Sequence, residues 1–278
     1  MTDTSRQERK AEAFRALHAG EAFVIPNPWD AGTARVLEAL GFQALATTSS
    51  GYAFTLGRLD GGATLDEVVE HTAALDSATE LPLSVDLENG YGATPQAVAL
   101  AITRVAAAGA VGGSIEDYDR DEHRIYERGD AVERNAAAVE AAHNLGFAFT
   151  LTARAENHIR GNPDLADTIA RLQAFEEAGA DVLYAPGLRS GDEIRAVCRE
   201  VSRPVNVLAL PGLSVEEIVA AGAQRVSVGG GLAWVAVRAL ADAATAIRDS
   251  GDLSSLAARV PLARWFGSEP SSPRGPES

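Results

Sequence analysis

A chain of 278 residues, 46% hydrophobic and 23% charged, can bury a substantial core and is too apolar for wholesale disorder. Its formal net charge of −15 disfavours a nucleic-acid or anionic-membrane partner. With no apolar run of membrane-spanning length and no signal-peptide core in Met1-Thr2-Asp3-Thr4-Ser5-Arg6, a cytoplasmic location is expected.

An amphipathic helix is expected from about Arg6 to Ala19. One unit then repeats: an apolar strand, a polar loop, a capped helix and a tight return. Strands are predicted near Phe23 to Pro26, Ala44 to Thr48, Leu83 to Leu87, Gly112 to Ile115, Phe149 to Ala153, Asp181 to Tyr184, Val205 to Leu208 and Arg225 to Val228. Helix starts are marked by Thr64-x-x-Glu67, Thr94-Pro95, Asn162-Pro163, Ser190-x-x-Glu193 and Ser214-x-x-Glu217. Helix ends are marked by Gly41, Gly109, Gly146, Gly179 and Gly222. Such alternation at ~30 residues per unit predicts parallel strands with right-handed crossovers, closed into a (β/α)8 TIM barrel. A doubly wound open sheet would carry a glycine-rich fingerprint where Pro26-Asn27-Pro28-Trp29 stands. One domain over residues 1–267 is expected, extended by the N-terminal helix and by C-terminal helical segments at Leu232 to Arg248 and Ser254 to Val260. The Pro/Ser/Gly/Glu-rich tail at 268–278 is expected to be disordered.

Two residue counts narrow the chemistry. The one cysteine excludes a disulfide framework or a cysteine metal cage, and Cys198, spaced helically from Ile194, Val197 and Val201, reads as core packing. The one lysine, Lys10, lies in the charged N-terminal helix and leaves no core amine for a Schiff base. Carbonyl chemistry must then rest on a metal and arginine.

A barrel of this type works at the C-terminal ends of its strands. Asp86 and Glu88 end the third, in Ser84-Val85-Asp86-Leu87-Glu88-Asn89-Gly90-Tyr91-Gly92. Two apart on a strand, they face the same way and can share one cation, although the stretch taken alone reads equally well as a solvated acidic loop. Glu116 ends the fourth strand, Arg154 the fifth, and Asn206 sits in the seventh. Hard oxygen ligands suit Mg2+, with Mn2+ as the substitute. The metal would polarise a carbonyl or carboxylate oxygen, and Arg154 would hold a second carboxylate bidentately. A structural ion pair of Arg154 with Glu156 or Glu116 is the competing reading, and Glu156 can equally be an orienting residue. Thr48, Ser49 and Ser50 offer hydroxyls and amides to an anion. Asp60, between Leu59 and Gly61, is a candidate acid/base on a movable loop, or simply a turn residue.

These motifs together resemble the isocitrate lyase/phosphoenolpyruvate mutase superfamily over about Phe23 to Val237. The resemblance rests on Asn27-Pro28-Trp29-Asp30-Ala31, Leu56-Gly57-x-x-Asp60, Asp86-x-Glu88-x-Gly90-Tyr91-Gly92, Glu116-Asp117 and Ala153-Arg154-x-Glu156, in that order. It implies that Asp86, Glu88 and Glu116 hold Mg2+, that Arg154 and Asp86 bind substrate with Thr48, Ser49 and Ser50 at its carboxylate end, and that Asp60 acts near the bond being broken. It also implies a small carboxylate substrate, bond cleavage beside a pyruvate enolate, and a homo-oligomer, dimer or tetramer, with exchanged C-terminal helices.

The chain departs from the pattern in three places. Glu88 stands where aspartate is usual. The loop Asp117 to Arg128 lacks the family's Cys and Lys, leaving His123, Tyr118, Tyr126 or water to supply a general acid. Tyr184-Ala185-Pro186-Gly187 lacks the polar residue expected after the sixth strand. The expected activity is a Mg2+-dependent C–C lyase of 2-oxo or 2-hydroxy dicarboxylates. P–C chemistry of the phosphonopyruvate hydrolase or PEP phosphonomutase type, a non-catalytic Mg2+/2-oxo-acid-binding protein, and a phosphate-binding barrel suggested by Gly229-Gly230-Gly231 are the alternatives.

Overall fold

The computed structural model describes residues 3–267; the tail at 268–278 lies outside them. Among these residues ten strands are interspersed with the helices in chain order: β1 (Phe23–Ile25), β2 (Leu45–Ala46), β3 (Leu83–Asp86), β4 (Gly112–Glu116), β5 (Tyr118–Asp119), β6 (Arg124–Ile125), β7 (Thr150–Arg154), β8 (Val182–Tyr184), β9 (Val205–Leu208) and β10 (Arg225–Ser227). Eight of them form one sheet in the order β1-β10-β9-β8-β7-β4-β3-β2, with every pairing parallel. The Ala46 amide donates to the Pro26 carbonyl at 3.1 Å across the remaining gap, so the sheet curls into the expected (β/α)8 barrel.

The helices are α1 (Asp3–Ala19), α2 (Ala31–Ala39), α3 (Ser49–Thr55), α4 (Leu65–Ala78), α5 (Pro95–Ala107), α6 (Arg128–His143), α7 (Leu165–Glu177), α8 (Gly191–Glu200), α9 (Val215–Ala220), α10 (Gly231–Ser250) and α11 (Leu262–Trp265). Thr64, Ser190 and Ser214 cap α4, α8 and α9 in full capping boxes, and Thr94 caps α5 with Pro95 inside its first turn. Each box satisfies two orphan amides of the first turn, which is why these starts are legible in sequence. Helix α7 is different: Asp164, not Asn162, accepts the first-turn amide, because Pro163 stands before the cap. At the returns, Gly109 takes φ +108°, and a Cβ there would lie 2.5 Å from the Asp76 carboxyl carbon. Only glycine fits.

Two hydrophobic clusters fill the space between sheet and helices, one under α4 to α6 and one under α7 to α9. A third, with Phe14, Phe23, Ile25 and Val111, closes the N-terminal end of the barrel beneath α1. Gly112 admits the Phe14 ring, which a Cβ would meet at 2.7 Å. Lys10 is buried in this region, donating to Asp76 at 2.6 Å and to the Thr79 carbonyl, and so clasps α1 to α4. Cys198 packs against the second cluster, and burial pushes its thiol up to about 11. Among the described residues no helix is long and apolar enough to cross a membrane.

The structure adds two elements that the periodicity does not show. Thr48 to Ser50 open α3 rather than a loop, and the stretch after Glu116 folds back as the antiparallel β5–β6 ribbon. The segment Ser254 to Val260 is helical only as a 3₁₀ turn, Ser254–Ala257.

Candidate active site

At the C-terminal strand ends a cavity of about 190 Å³ is lined by Thr47 to Ser50, Asp60, Asp86, Arg154, Tyr184, Asn206, Arg225, Ser227, Gly229 and Gly230, among others. Asp86 is the last residue of β3. Its amide donates to Thr47 Oγ1 at 2.8 Å, and its carboxylate accepts the amides of Ser49 and Glu88, each at 3.2 Å. The chain then leaves the strand: Glu88 (φ +50°), Gly90 (+83°) and Tyr91 (+58°) all lie in the left-handed region. The expectation that strand alternation aligns Glu88 with Asp86 is therefore corrected, because the strand ends before Glu88. Arg134, itself buried, holds this turn by donating to the carbonyls of Asn89 and Ala93.

Glu88 and Glu116 are 4% and 1% exposed and sit behind the cavity wall. Glu88 lies 2.8 Å from Arg120 Nε and accepts the Tyr91 hydroxyl at 3.3 Å. Glu116 lies 3.2 Å from Arg154 Nη1 and 3.4 Å from Arg160 Nη2, yet its Oε2 has no well-directed hydrogen bond. Arg154, which faces the cavity, is held by Glu156 and Glu116, with Asp86 at 3.7 Å and the Tyr184 ring 5.3 Å from its guanidinium carbon. Arg120 also reaches Glu116 at 3.7 Å and Asp60 at 3.6 Å, pinning the Asp60 loop, with Asp60 half-exposed, to the acid cluster.

Burial dominates the protonation chemistry here. It pushes Glu88 up to about 7, against Arg120 and with Asp86, and raises Glu116 against the pull of Arg154. Burial alone would lower Arg154, but Glu156 and Glu116 together overrule it and keep the guanidinium charged. Five carboxylates (Asp60, Asp86, Glu88, Glu116, Glu156) face three guanidiniums (Arg120, Arg154, Arg160), a formal excess of two negative charges when all are ionised. A hard divalent cation matches that excess and the unsatisfied Glu116 oxygen. Among the described residues, however, no three such ligands already converge as a metal site: Arg120 stands between Glu88 and Glu116, and Arg154 between Glu116 and Asp86.

The other expected residues divide. Thr48 caps α3 and Ser50 Oγ lies 3.2 Å from its hydroxyl; both line the cavity. The Ser49 amide donates to Asp86, while Ser49 itself also lines the cavity. Gly230 lets the β10 loop approach Ser50 Oγ, where a Cβ would stand 2.7 Å away. None of Tyr118, His123 and Tyr126 lines the cavity: His123 is exposed, Tyr118 lies under Arg160, and Tyr126 under Arg134. Asp117 is buried and tied to Arg171 and the Glu156 amide. Residues that sequence reasoning missed are Arg120, Tyr184, Arg225 and Ser227. The last two share inward parity on β10, a signal that was available.

The family model described as phosphoenolpyruvate phosphomutase matches residues 14–248. A 2-methylisocitrate lyase of Halalkalibacterium halodurans is 30% identical, over 72% of this chain and 67% of that protein. A crystal structure from Burkholderia cenocepacia J2315, described as a candidate lyase/mutase, superposes with TM-score 0.91 at 54% identity, covering 94% of this chain and 98% of that one. Oxaloacetate acetylhydrolase in complex with its product oxalate superposes with TM-score 0.84 at 26% identity, covering 93% and 94%. The chain belongs to the phosphoenolpyruvate phosphomutase family, in the isocitrate lyase/PEP mutase superfamily.

Proposed function

We propose that the chain is a Mg2+-dependent lyase that cleaves a C–C bond of a 2-oxo or 2-hydroxy dicarboxylate, leaving a pyruvate-like enolate. The observation that carries this reading is Arg154, charged and cavity-facing, embedded among Glu116, Glu156 and Asp86. A guanidinium so placed binds a carboxylate bidentately and orients the carbonyl beside it. Asp86, Glu88 and Glu116 would hold the Mg2+, which supplies Lewis-acid stabilisation of developing negative charge. Thr48, Ser50 and Asn206 offer donors to the carboxylate end of the substrate, and Asp60 would enter from its glycine-flanked loop to move a proton at the bond being broken. The general acid is not one of the loop residues Tyr118, His123 or Tyr126, which face elsewhere, so water or Asp60 fills that role.

The test is a product-release screen with and without EDTA, reading pyruvate from oxaloacetate, methylisocitrate, substituted malates and phosphonopyruvate and glyoxylate from isocitrate. Turnover of one C–C substrate that stops with EDTA and with Asp86→Ala is expected. Turnover of phosphonopyruvate alone would move the reading to P–C chemistry, and turnover indifferent to EDTA would end the metal reading.

We also propose a homo-oligomer. Helix α10 has a single buried residue, Ala233, and exposes Val235, Leu240 and Ile247. Sedimentation velocity is expected to give a dimer or tetramer, and a monomer at micromolar concentration would refute it.

A further inference from the structure

Beneath the cavity, the barrel interior holds a charge that the proposed reaction does not use. Arg225 opens β10 and is 5% exposed. Its Nε donates to Asn206 Oδ1 at 2.8 Å, its Nη2 to Thr152 Oγ1 at 3.0 Å, and its Nη1 approaches His18 Nε2 at 3.1 Å. His18 Nδ1 lies 2.8 Å from the Phe14 carbonyl. The ring therefore donates there through Nδ1 and accepts from Arg225 through Nε2, the neutral tautomer. All three partners are uncharged. Among the described residues no carboxylate pairs with Arg225, whereas Arg120, Arg154, Arg160 and Arg171 each face at least one.

A buried guanidinium without a counter-ion is costly and is normally neutralised or paired. Burial lowers Arg225 only to about 10, so it remains charged at neutral pH. The same side chain lines the cavity. It also fixes the Asn206 amide: with Oδ1 turned to Arg225, Nδ2 donates to Ser227 Oγ at 3.0 Å and keeps a second N–H free for a ligand.

We propose that Arg225 is the positioning and specificity residue of the cavity floor, supplying the unpaired positive charge that selects a dianionic over a monoanionic ligand and locking Asn206 as a donor toward it. The missing counter-ion is the ligand itself. This rests on the cavity binding an organic anion but not on which bond is cleaved, so the two readings fail separately.

The experiment measures binding of oxalate and of oxamate, its near-isosteric monoanion, by calorimetry at fixed Mg2+ and ionic strength. The proteins are the wild-type chain, Arg225→Lys and Arg225→Met, with circular dichroism and thermal midpoint as checks on folding. The wild type is expected to prefer oxalate. In Arg225→Met, oxalate is expected to weaken at least tenfold and oxamate less than threefold, and Arg225→Lys, which keeps the charge, to recover most of the preference. Equal losses for both ligands, or equal losses in the Lys and Met variants, would assign the effect to packing and overturn the proposal. So would a wild type that binds neither anion. If Arg225→Met does not fold, the oxalate preference of the Lys variant decides: its disappearance overturns the charge argument and its retention supports it. Anion binding without any turnover would leave this inference standing and defeat the lyase reading.

Discussion

The two ends of the barrel interior solve the problem of buried charge in opposite ways. At the rim, Asp60, Asp86, Glu88, Glu116 and Glu156 outnumber Arg120, Arg154 and Arg160, and burial lifts Glu88 to about 7. At the floor, Arg225 stands among neutral acceptors, with no acid beside it among the described residues. Both arrangements cost stability in the empty protein, and both suit a bound pair of cation and anion: a divalent metal at the rim, a carboxylate reaching the floor. Sites that break the rule of pairing buried charges are where function is expected.

The rim gives the largest effect. Glu116→Gln keeps shape and removes one negative charge from a carboxylate that burial already disfavours. Turnover is expected to fall by ~10²- to 10³-fold, the scale of losing a principal electrostatic group in a closed site. The thermal midpoint is expected to stay level or rise, because the charge is held against a desolvation cost. A variant with lower stability and near-normal turnover would mean that Glu116 is a structural ion-pair partner of Arg154.

Arg120 tests whether the rim's own cations compete with a metal. It lies 2.8 Å from Glu88 and also reaches Asp60. Arg120→Ala is expected to tighten Mg2+ binding by roughly 3- to 10-fold, since two like charges ~5 Å apart at an effective dielectric near 20 repel by several kcal/mol before screening. Turnover is expected to drop, because Asp60 loses its tether. Unchanged or weaker Mg2+ binding, read by calorimetry without substrate, would remove Arg120 as a competitor.

How much of this was legible in the sequence follows from the same contrast. Capping boxes, return glycines and apolar runs are local signals, and they placed the barrel strands and most helix starts. Asp86, Glu116 and Arg154 were legible because each ends a strand. What escaped depends on contacts between distant segments. Arg120 reads as one charge in a charged loop until the β5–β6 ribbon folds it onto Glu88 and Asp60. Tyr184 in sequence is a strand end followed by no polar group, yet its ring lies beside Arg154. Arg225 looked like the first residue of a strand, and nothing local says that its partners would be Thr152, Asn206 and His18.

The smallest effect separates the ends by their histidines, since each has a buried one. His71 stacks on Tyr52 at 3.9 Å and bonds the Trp29 carbonyl near the rim; burial lowers it to about 4. His18 lies at the floor, lowered by burial and then by Arg225 to about 3. Both folded-state values lie below the ~6.5 of an unfolded histidine. Between those values and 6.5 the unfolded chain binds more protons, so this stabilisation is complete above about pH 6.5 and is lost as the pH falls. For His71 the full loss is roughly 3 kcal/mol, spent by about pH 4. His71→Gln keeps a donor for Trp29 but does not titrate. Chemical denaturation is expected to show it less stable than the wild type at pH 7.5 and to recover roughly 2 kcal/mol of that difference by pH 5. His18→Gln is expected to recover as much by pH 5 and to go on gaining below pH 4, where the His71 effect has ended. A difference independent of pH for either variant would place that ring in contact with water and refute its burial as the cause.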